Sequence, residues 1–254
     1  MRFTVNRPSV WLYASDNLVG EVSDELLFGT TVEILSENDS TAYVRTDYGY
    51  CGYLNRWDIC ECTEHDFGES ERVTVNARCD LLLEGAYLLK PYMSIPKGSR
   101  VRIAERLEGR FSRCRVGRRL LYIPNYAIEP LRYDNIGDGI AMAAFSYLGA
   151  PYRWGGKSDC GIDCSGLTFM SCALCGVDVY RDAVFDERYV YEIAESEVAA
   201  GDFAYFKGHV AVMTGRNSYV HASASACRVV TGFFGDGGLS KESVLHFARV
   251  KKDG

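Results

Sequence analysis

Cys164 follows an aspartate and precedes Ser165-Gly166 at the head of an apolar run, and two histidines, His209 and His221, come later in short alternating stretches. These residue types are the ingredients of thiol catalysis: a sulfur nucleophile, a base for its proton and a third group that orients the base. A thiol attacks as its thiolate. A helix N-terminus beside an imidazolium lowers a thiol pKa from about 8.5 into the range of roughly 3.5 to 7.5. The competing reading of Cys164 is a small core hydrophobe, the usual fate of a free cysteine.

For this chemistry the chain must bring the three side chains together. Asp163 is the expected N-cap of a helix that runs from Cys164 to Cys175 and stops at Gly176. Leu167, Phe169, Met170, Ala173 and Leu174 cover most of its faces, so the helix is buried and its first turn points at one fixed place. Cys172 and Cys175 sit three apart inside it, without the strand-to-helix context of a redox motif, and are read as core. Upstream, Ile140 to Leu148 fit a short helix that ends at Gly149. The loop Pro151-Tyr152-Arg153-Trp154-Gly155-Gly156 follows it.

Downstream, Gly201 to Phe206, His209 to Met213 and Ser218 to Ala222 read as three consecutive strands, with Gly215-Arg216-Asn217 turning between the last two. Pairing Met213 with Asn217 sets His209 directly opposite His221, where Cβ atoms stand about 4.5 to 5.5 Å apart. A one-residue slip would move them to opposite faces. In this register His209 is the base and a neutral His221 its orienter.

The 254 residues suffice for more than one core, and a net charge of -6 without a lysine/arginine block gives no footprint for nucleic acid. No stretch approaches the roughly 20 apolar residues of a membrane span. The apolar patch from Val10 to Ala14 is too short for a signal-peptide core, so a cytoplasmic location is expected, with the cell wall or exterior requiring another export route. Ten cysteines spread through the chain fit reduced thiols better than a disulfide framework. Cys51, Cys60, Cys62 and His65 are possible zinc ligands whose spacing fits no common structural site, so neither a metal nor any other cofactor is expected.

The first half repeats itself. An offset of 69 residues aligns Gly29 with Gly98, Val32 with Val101, Ile34 with Ile103, Tyr53 with Tyr122 and Ile59 with Ile128. Both stretches alternate polar and apolar residues after a glycine turn, as small barrels of five or six strands would. Leu27-Phe28-Gly29 to Val32 and Tyr48-Gly49-Tyr50-Cys51-Gly52-Tyr53-Leu54 resemble the bacterial SH3-like domain; the second copy lacks the paired glycines. Glu61 to Arg72 and Glu129 to Asp138 read as linkers. The expected domains are 1–64, 70–132 and 137–254.

Tyr152-Arg153-Trp154-Gly155-Gly156, Asp163-Cys164-Ser165-Gly166, Gly201-Asp202, His209-Val210 and His221-Ala222 together resemble the NlpC-type family of cell-wall cysteine peptidases, over about the last 118 residues. The resemblance implies an α+β chain: a papain-like catalytic domain, helices on an antiparallel sheet, behind two SH3-like β-barrels. It implies hydrolysis of peptidoglycan stem peptides between D-glutamate and a diamino acid, with Cys164 as nucleophile, His209 as base and acid, and His221 as orienter. Tyr152 and the Cys164 backbone N–H would line the oxyanion hole. Relatives with this layout are similar to enzymes that hold the free amine of an N-terminal L-alanine with acidic groups.

On that pattern Asp182, in Arg181-Asp182-Ala183, is the catalytic-domain carboxylate, although Ala183 stands where the family usually has serine. Glu21 and Tyr50 are the first-barrel candidates, with Asp24 and Glu25 competing for Glu21; surface solvation and core packing are their plain alternatives. Ser165 and Trp154 complete the candidate substrate contacts. Diaminopimelate and lysine, and the oligomeric state, stay open. A wall-binding protein or an acyl transferase on the same scaffold is the alternative function.

Overall fold

The computed structural model describes residues 2–62, 71–85, 88–116 and 119–251. The chain divides into two compact units, Met1–Pro130 and Leu131–Gly254. Among the described residues no helix is long and apolar enough to cross a membrane.

The first unit is built from antiparallel strands. Its first sheet comprises β1 (Arg2–Val5), β2 (Ser9–Tyr13), β3 (Val22–Leu27), β4 (Thr31–Glu37), β5 (Thr41–Thr46), β6 (Cys51–Asn55) and β7 (Ile59–Glu61). The second comprises β8 (Glu71–Thr74), β9 (Cys79–Glu84), β10 (Leu89–Ile95), β11 (Arg100–Glu105), β12 (Phe111–Val116) and β13 (Arg119–Pro124). The first sheet runs β3-β2-β6-β5-β4-β1-β7 and the second β10-β9-β13-β12-β11-β8, the same winding apart from β7. The sequence repeat is therefore a repeat of topology. Even the register shifts correspond, between Ile34 and Ser36 and between Ile103 and Glu105.

The first copy has seven strands where five or six were expected, because the chain turns back along β1 and pairs Phe3 with Glu61. Alternation does what it should in both copies: Val32 is 1% exposed and Val101 2%, each on the inner side of its strand. Residues 63–70, which hold most of the first expected linker and His65 of the possible zinc set, lie outside the described residues.

Phe28 sits in the second sheet's core, its carbonyl accepts from Arg100 N at 2.8 Å, and Gly29 adopts a φ of 78°. A Cβ on Gly29 would lie 1.8 Å from the Arg100 carbonyl oxygen, so glycine is required by both conformation and space.

The second unit comprises α1 (Ile136–Phe145), the short pair β14 (Lys157–Ser158) and β15 (Gly161–Ile162), α2 (Cys164–Ala173), and a sheet. The sheet strands are β16 (Val190–Glu192), β17 (Phe203–Phe206), β18 (His209–Met213), β19 (Ser218–Ser223), β20 (Arg228–Phe233) and β21 (His246–Val250). α1 begins inside the stretch read as linker, because Asn135 caps it through Asp138 N. The sheet order is β16-β21-β17-β18-β19-β20, so the three anticipated strands are central. Ala211, Met213 and Tyr219 pack with Phe206 and Phe247 in one core cluster, and α2 contacts both β18 and β19.

The expected result of Gly29→Ala is a loss of stability on the order of 2 kcal/mol or more, read from the midpoint of chemical denaturation. An unchanged midpoint would contradict the close approach at Arg100.

Candidate active site

Asp163 caps α2 as anticipated: its backbone is extended and Oδ1 accepts from Gly166 N at 2.6 Å. Its other oxygen accepts from Gly155 N at 2.7 Å, which ties the glycine loop to the helix start. Gly166 is pressed against that loop, since a Cβ there would meet the Gly156 carbonyl oxygen at 2.2 Å. At the other end Cys175 N and Gly176 N bond the carbonyls of Cys172 and Ala173, so the helix tightens and ends at Ala173 rather than Cys175. Gly176 has the left-handed φ of 74°.

Cys164 is the first residue of α2 and 6% exposed. Backbone hydrogen bonds from Val210 and Ser165 reach its sulfur, which places the thiol beside the start of β18. Tyr152 lies close enough for the charges of Cys164 and Asp163 to add to the effect of burial in raising its phenol pKa. Its backbone N donates to Cys227 O, and Trp154, two residues on, is largely exposed.

The histidines meet, although by a different register. Met213 pairs with Tyr219 and Val212 with Val220, a shift of two residues from the pairing of Met213 with Asn217. Thr214 N donates to Ser218 O, so the turn closes one residue later along the chain than the expected pairing required. Continued along the ladder, this sets His221 opposite Ala211, with His209 diagonal to it. A two-residue shift keeps both rings on one face, and diagonal neighbours remain within reach of large side chains. His209 Nε2 lies 2.9 Å from His221 Nδ1, with the rings edge to face at 5.0 Å.

The electrostatics differ from the expectation of a lowered thiol pKa. Burial, followed by the adjacent Asp163 carboxylate, raises Cys164; the two backbone hydrogen bonds and Arg181 only reduce that rise. Burial lowers His209 below its ordinary value. Burial together with its neighbour His209 lowers His221 to about 4. All three shifts run in the direction that favours a neutral thiol and neutral imidazoles. A neutral His221 can accept from His209 Nε2–H, which leaves His209 Nδ1 as the basic nitrogen.

Arg181 has a role that sequence reasoning missed. It is 2% exposed, and its guanidinium reaches both Asp163 oxygens at 3.2 and 3.3 Å and donates to Ser165 Oγ at 2.9 Å. Its distance from Asp163 in sequence hid the pairing; the only signal was its place beside Asp182. Ser165 is therefore engaged through its hydroxyl with Arg181 and Asp163. Asp182 is half-buried and hydrogen-bonds Tyr180.

Glu21 and Tyr50 belong to the first unit and Cys164 to the second. Glu21 is exposed just before β3, and Tyr50 is half-buried against the first sheet's core. The competitors Asp24 and Glu25 are buried, at 0% and 3% exposure, and Asp24 accepts from the Tyr48 hydroxyl.

Two outcomes follow from these groups. Arg181→Gln should destabilise the protein by on the order of 3 kcal/mol, because it strands the buried Asp163 charge; denaturant midpoints check this. His221 has an ordinary unfolded pKa near 6.5 and a folded value of about 4, so below pH 6.5 the unfolded state binds more protons. Stability should fall as the pH drops from about 6.5 towards 4, and His221→Gln should flatten that fall in melting temperature against pH.

The NlpC/P60 family pattern matches residues 149–244, which hold Cys164, His209 and His221. The chain is 33% identical over 230 residues to Dipeptidyl-peptidase 6 from Lysinibacillus sphaericus, covering 84% of each protein. It is 34% identical over 93 residues to Gamma-D-glutamyl-L-lysine dipeptidyl-peptidase from Bacillus subtilis, spanning 34% of this chain and 31% of that one. In fold it resembles the crystal structure of an NlpC/P60 family protein from Bacillus cereus, with a TM-score of 0.84 over 98% of this chain and 99% of that one at 16% identity. Similarity along most of the length to a named peptidase, together with the pattern around the cysteine and both histidines, establishes that this chain belongs to the NlpC/P60 family of peptidases and peptidoglycan hydrolases.

Proposed function

We propose that the protein is a cysteine peptidase that hydrolyses the bond between γ-D-glutamate and an L-diamino acid in peptidoglycan stem peptides carrying a free N-terminal L-alanine. The observation that carries this reading is the 2.9 Å contact between His209 Nε2 and His221 Nδ1, next to a thiol that the adjoining Val210 backbone bonds. The name of the relative from Bacillus subtilis, Gamma-D-glutamyl-L-lysine dipeptidyl-peptidase, supports the bond that is cleaved.

The mechanism follows from a site whose resting groups are neutral. As substrate arrives, His209 Nδ1 takes the Cys164 proton and the sulfur bonds the γ-glutamyl carbonyl carbon. The new imidazolium keeps its Nε2–H on neutral His221. The charge developing on the carbonyl oxygen is met by the Cys164 backbone N–H and the Tyr152 hydroxyl, donors of a kind each worth roughly 10² to 10³ in rate elsewhere. Collapse breaks the C–N bond, and His209 returns its proton to the leaving amine. Water then adds to the thioester with His209 again as base, releasing L-alanyl-D-glutamate and the thiol.

Because the proton moves between two buried partners, the site never carries an unpaired charge, which is why a raised thiol and a lowered imidazole are compatible with catalysis. Asp182 is the carboxylate for the alanine ammonium, and Trp154 offers an exposed ring at the loop that carries Tyr152. The role that goes with this reading is the turnover of released muropeptides.

The test is incubation of L-Ala-γ-D-Glu-L-diamino acid peptides with the protein and identification of products by mass. Wild type should release L-Ala-D-Glu, Cys164→Ala should lose at least about 10⁴-fold in kcat, and N-acetylated peptide should be cleaved far more slowly. Turnover that persists in Cys164→Ala would sink the mechanism, and equal cleavage of the acetylated peptide would sink the amine requirement.

A further inference from the structure

The last strand of the catalytic sheet holds a cation that no step of the proposed mechanism employs. β20 pairs with β19 so that Val230 stands opposite His221 and Arg228 opposite Ser223. Directly opposed residues share a face, as do residues two apart on one strand, which puts Arg228 on the face of the His221 ring. It is the diagonal neighbour of His221, a separation of about 7 to 8 Å that a long side chain spans. His221 in turn meets His209 at 2.9 Å.

The backbone at Arg228 is held from both sides. Opposite its pairing with Ser223 it forms a bridge with Pro151, and around that bridge Tyr152 N donates to Cys227 O and Val229 N to Ala150 O, each at 2.9 Å. Val229, 1% exposed, anchors the segment in the interior. Arg228 is thus carried between the strand of His221 and the loop of Tyr152. Its side chain is exposed, and its guanidinium forms neither a hydrogen bond nor an ion pair among the described residues.

Asp182, the carboxylate proposed for the alanine ammonium, belongs to the other side of β18. Phe185, three residues later, sets its ring 6.0 Å from Tyr205 of β17 and 4.7 Å from His246 of β21. In the sheet order β21 and β17 precede β18, whereas β19 and β20 follow it. A stem peptide with its amine at Asp182 and its scissile carbonyl at Cys164 therefore sends the leaving diamino acid towards β19 and β20.

We propose that Arg228 is a specificity-determining residue that reads the far end of the leaving diamino acid and selects diaminopimelate over lysine. The inference rests on the peptidase reading above. The side chain of diaminopimelate ends in a carboxylate beside its second amine, and that of lysine ends in the amine alone. A guanidinium binds a carboxylate in a bidentate, charge-assisted pair and repels a lone ammonium. Solvent screens an exposed pair, so the discrimination is about tenfold rather than many thousandfold.

The experiment uses the full chain and three tripeptides: L-Ala-γ-D-Glu extended by meso-diaminopimelate, by meso-diaminopimelate amidated at its distal carboxyl, or by L-lysine. Values of kcat/KM are compared for wild type, Arg228→Gln and Arg228→Glu. Wild type should favour the diaminopimelate peptide over both others by about tenfold. Arg228→Gln should bring these ratios close to one, and Arg228→Glu should favour lysine. A merely structural role for Arg228, or a hold on the α-carboxylate that all three peptides share, would lower every rate together and keep the wild-type ratios. That result overturns the proposal, as does equal cleavage of the three peptides by wild type. Calorimetric binding of the same peptides to Cys164→Ala, with and without Arg228→Gln, separates the subsite from hydrolysis. If wild type cleaves none of them the peptidase reading fails; a diaminopimelate preference in binding that Arg228→Gln removes still upholds the subsite, and its absence overturns it.

Discussion

The catalytic half of the molecule depends on one carboxylate held out of water. Asp163 closes the first turn of α2 through Gly166 N, anchors the glycine loop through Gly155 N and is neutralised by Arg181. A buried carboxylate left unpaired would be protonated or would pull its surroundings apart; with the guanidinium and two backbone donors its charge is spread over fixed partners. The cysteine next to it inherits that rigidity, because a helix capped at one end and buried along its length leaves its first residue little freedom. Tyr152, on the loop that Gly155 belongs to, is positioned by the same constraint.

That anchor has an electrostatic cost at the thiol. The cap that orients Cys164 also sets a negative charge beside it, and together with burial this outweighs two backbone hydrogen bonds and the charge of Arg181. The neighbouring histidines are shifted the opposite way for the same reason, desolvation. In the proposed mechanism the site works with neutral groups that exchange a proton when substrate binds. The third member of the set is then better neutral than charged. A carboxylate there would favour a standing imidazolium, whereas the neutral His221 meets the His209 ring at 2.9 Å without adding charge.

The cysteine, its cap and the two histidines were legible in the sequence because each sits where local rules are strong: a helix start, and strands bounded by glycine turns. The repeat was legible because Gly29 and Gly98 recur at the same step as their strands' apolar residues. What the sequence left hidden was long-range pairing. Arg181 and Asp163 are 18 residues apart and nothing local joins them. The hairpin register was missed by two residues because the turn between Met213 and Ser218 admits more than one closure, yet the face survived because strands alternate with period two. The extra strand β7 was missed since three residues give no pattern to read. The pull of Asp163 on the thiol pKa is a balance among burial, dipole and charge that composition cannot weigh.

In the proposed mechanism Cys164 itself is acylated while His209, steadied by neutral His221, carries its proton. The most direct measurement is acid-quenched mass spectrometry of the protein mixed with L-Ala-γ-D-Glu-L-diamino acid peptide, followed by mapping of the modified fragment. An L-alanyl-γ-D-glutamyl adduct is expected on the fragment that contains Cys164, and it should accumulate further in His209→Gln when an activated γ-thioester of L-Ala-D-Glu transfers its acyl group to Cys164 and releases its own thiol. Peptide cleavage with Cys164 unmodified throughout the quench series, or with the adduct on another residue, would contradict it.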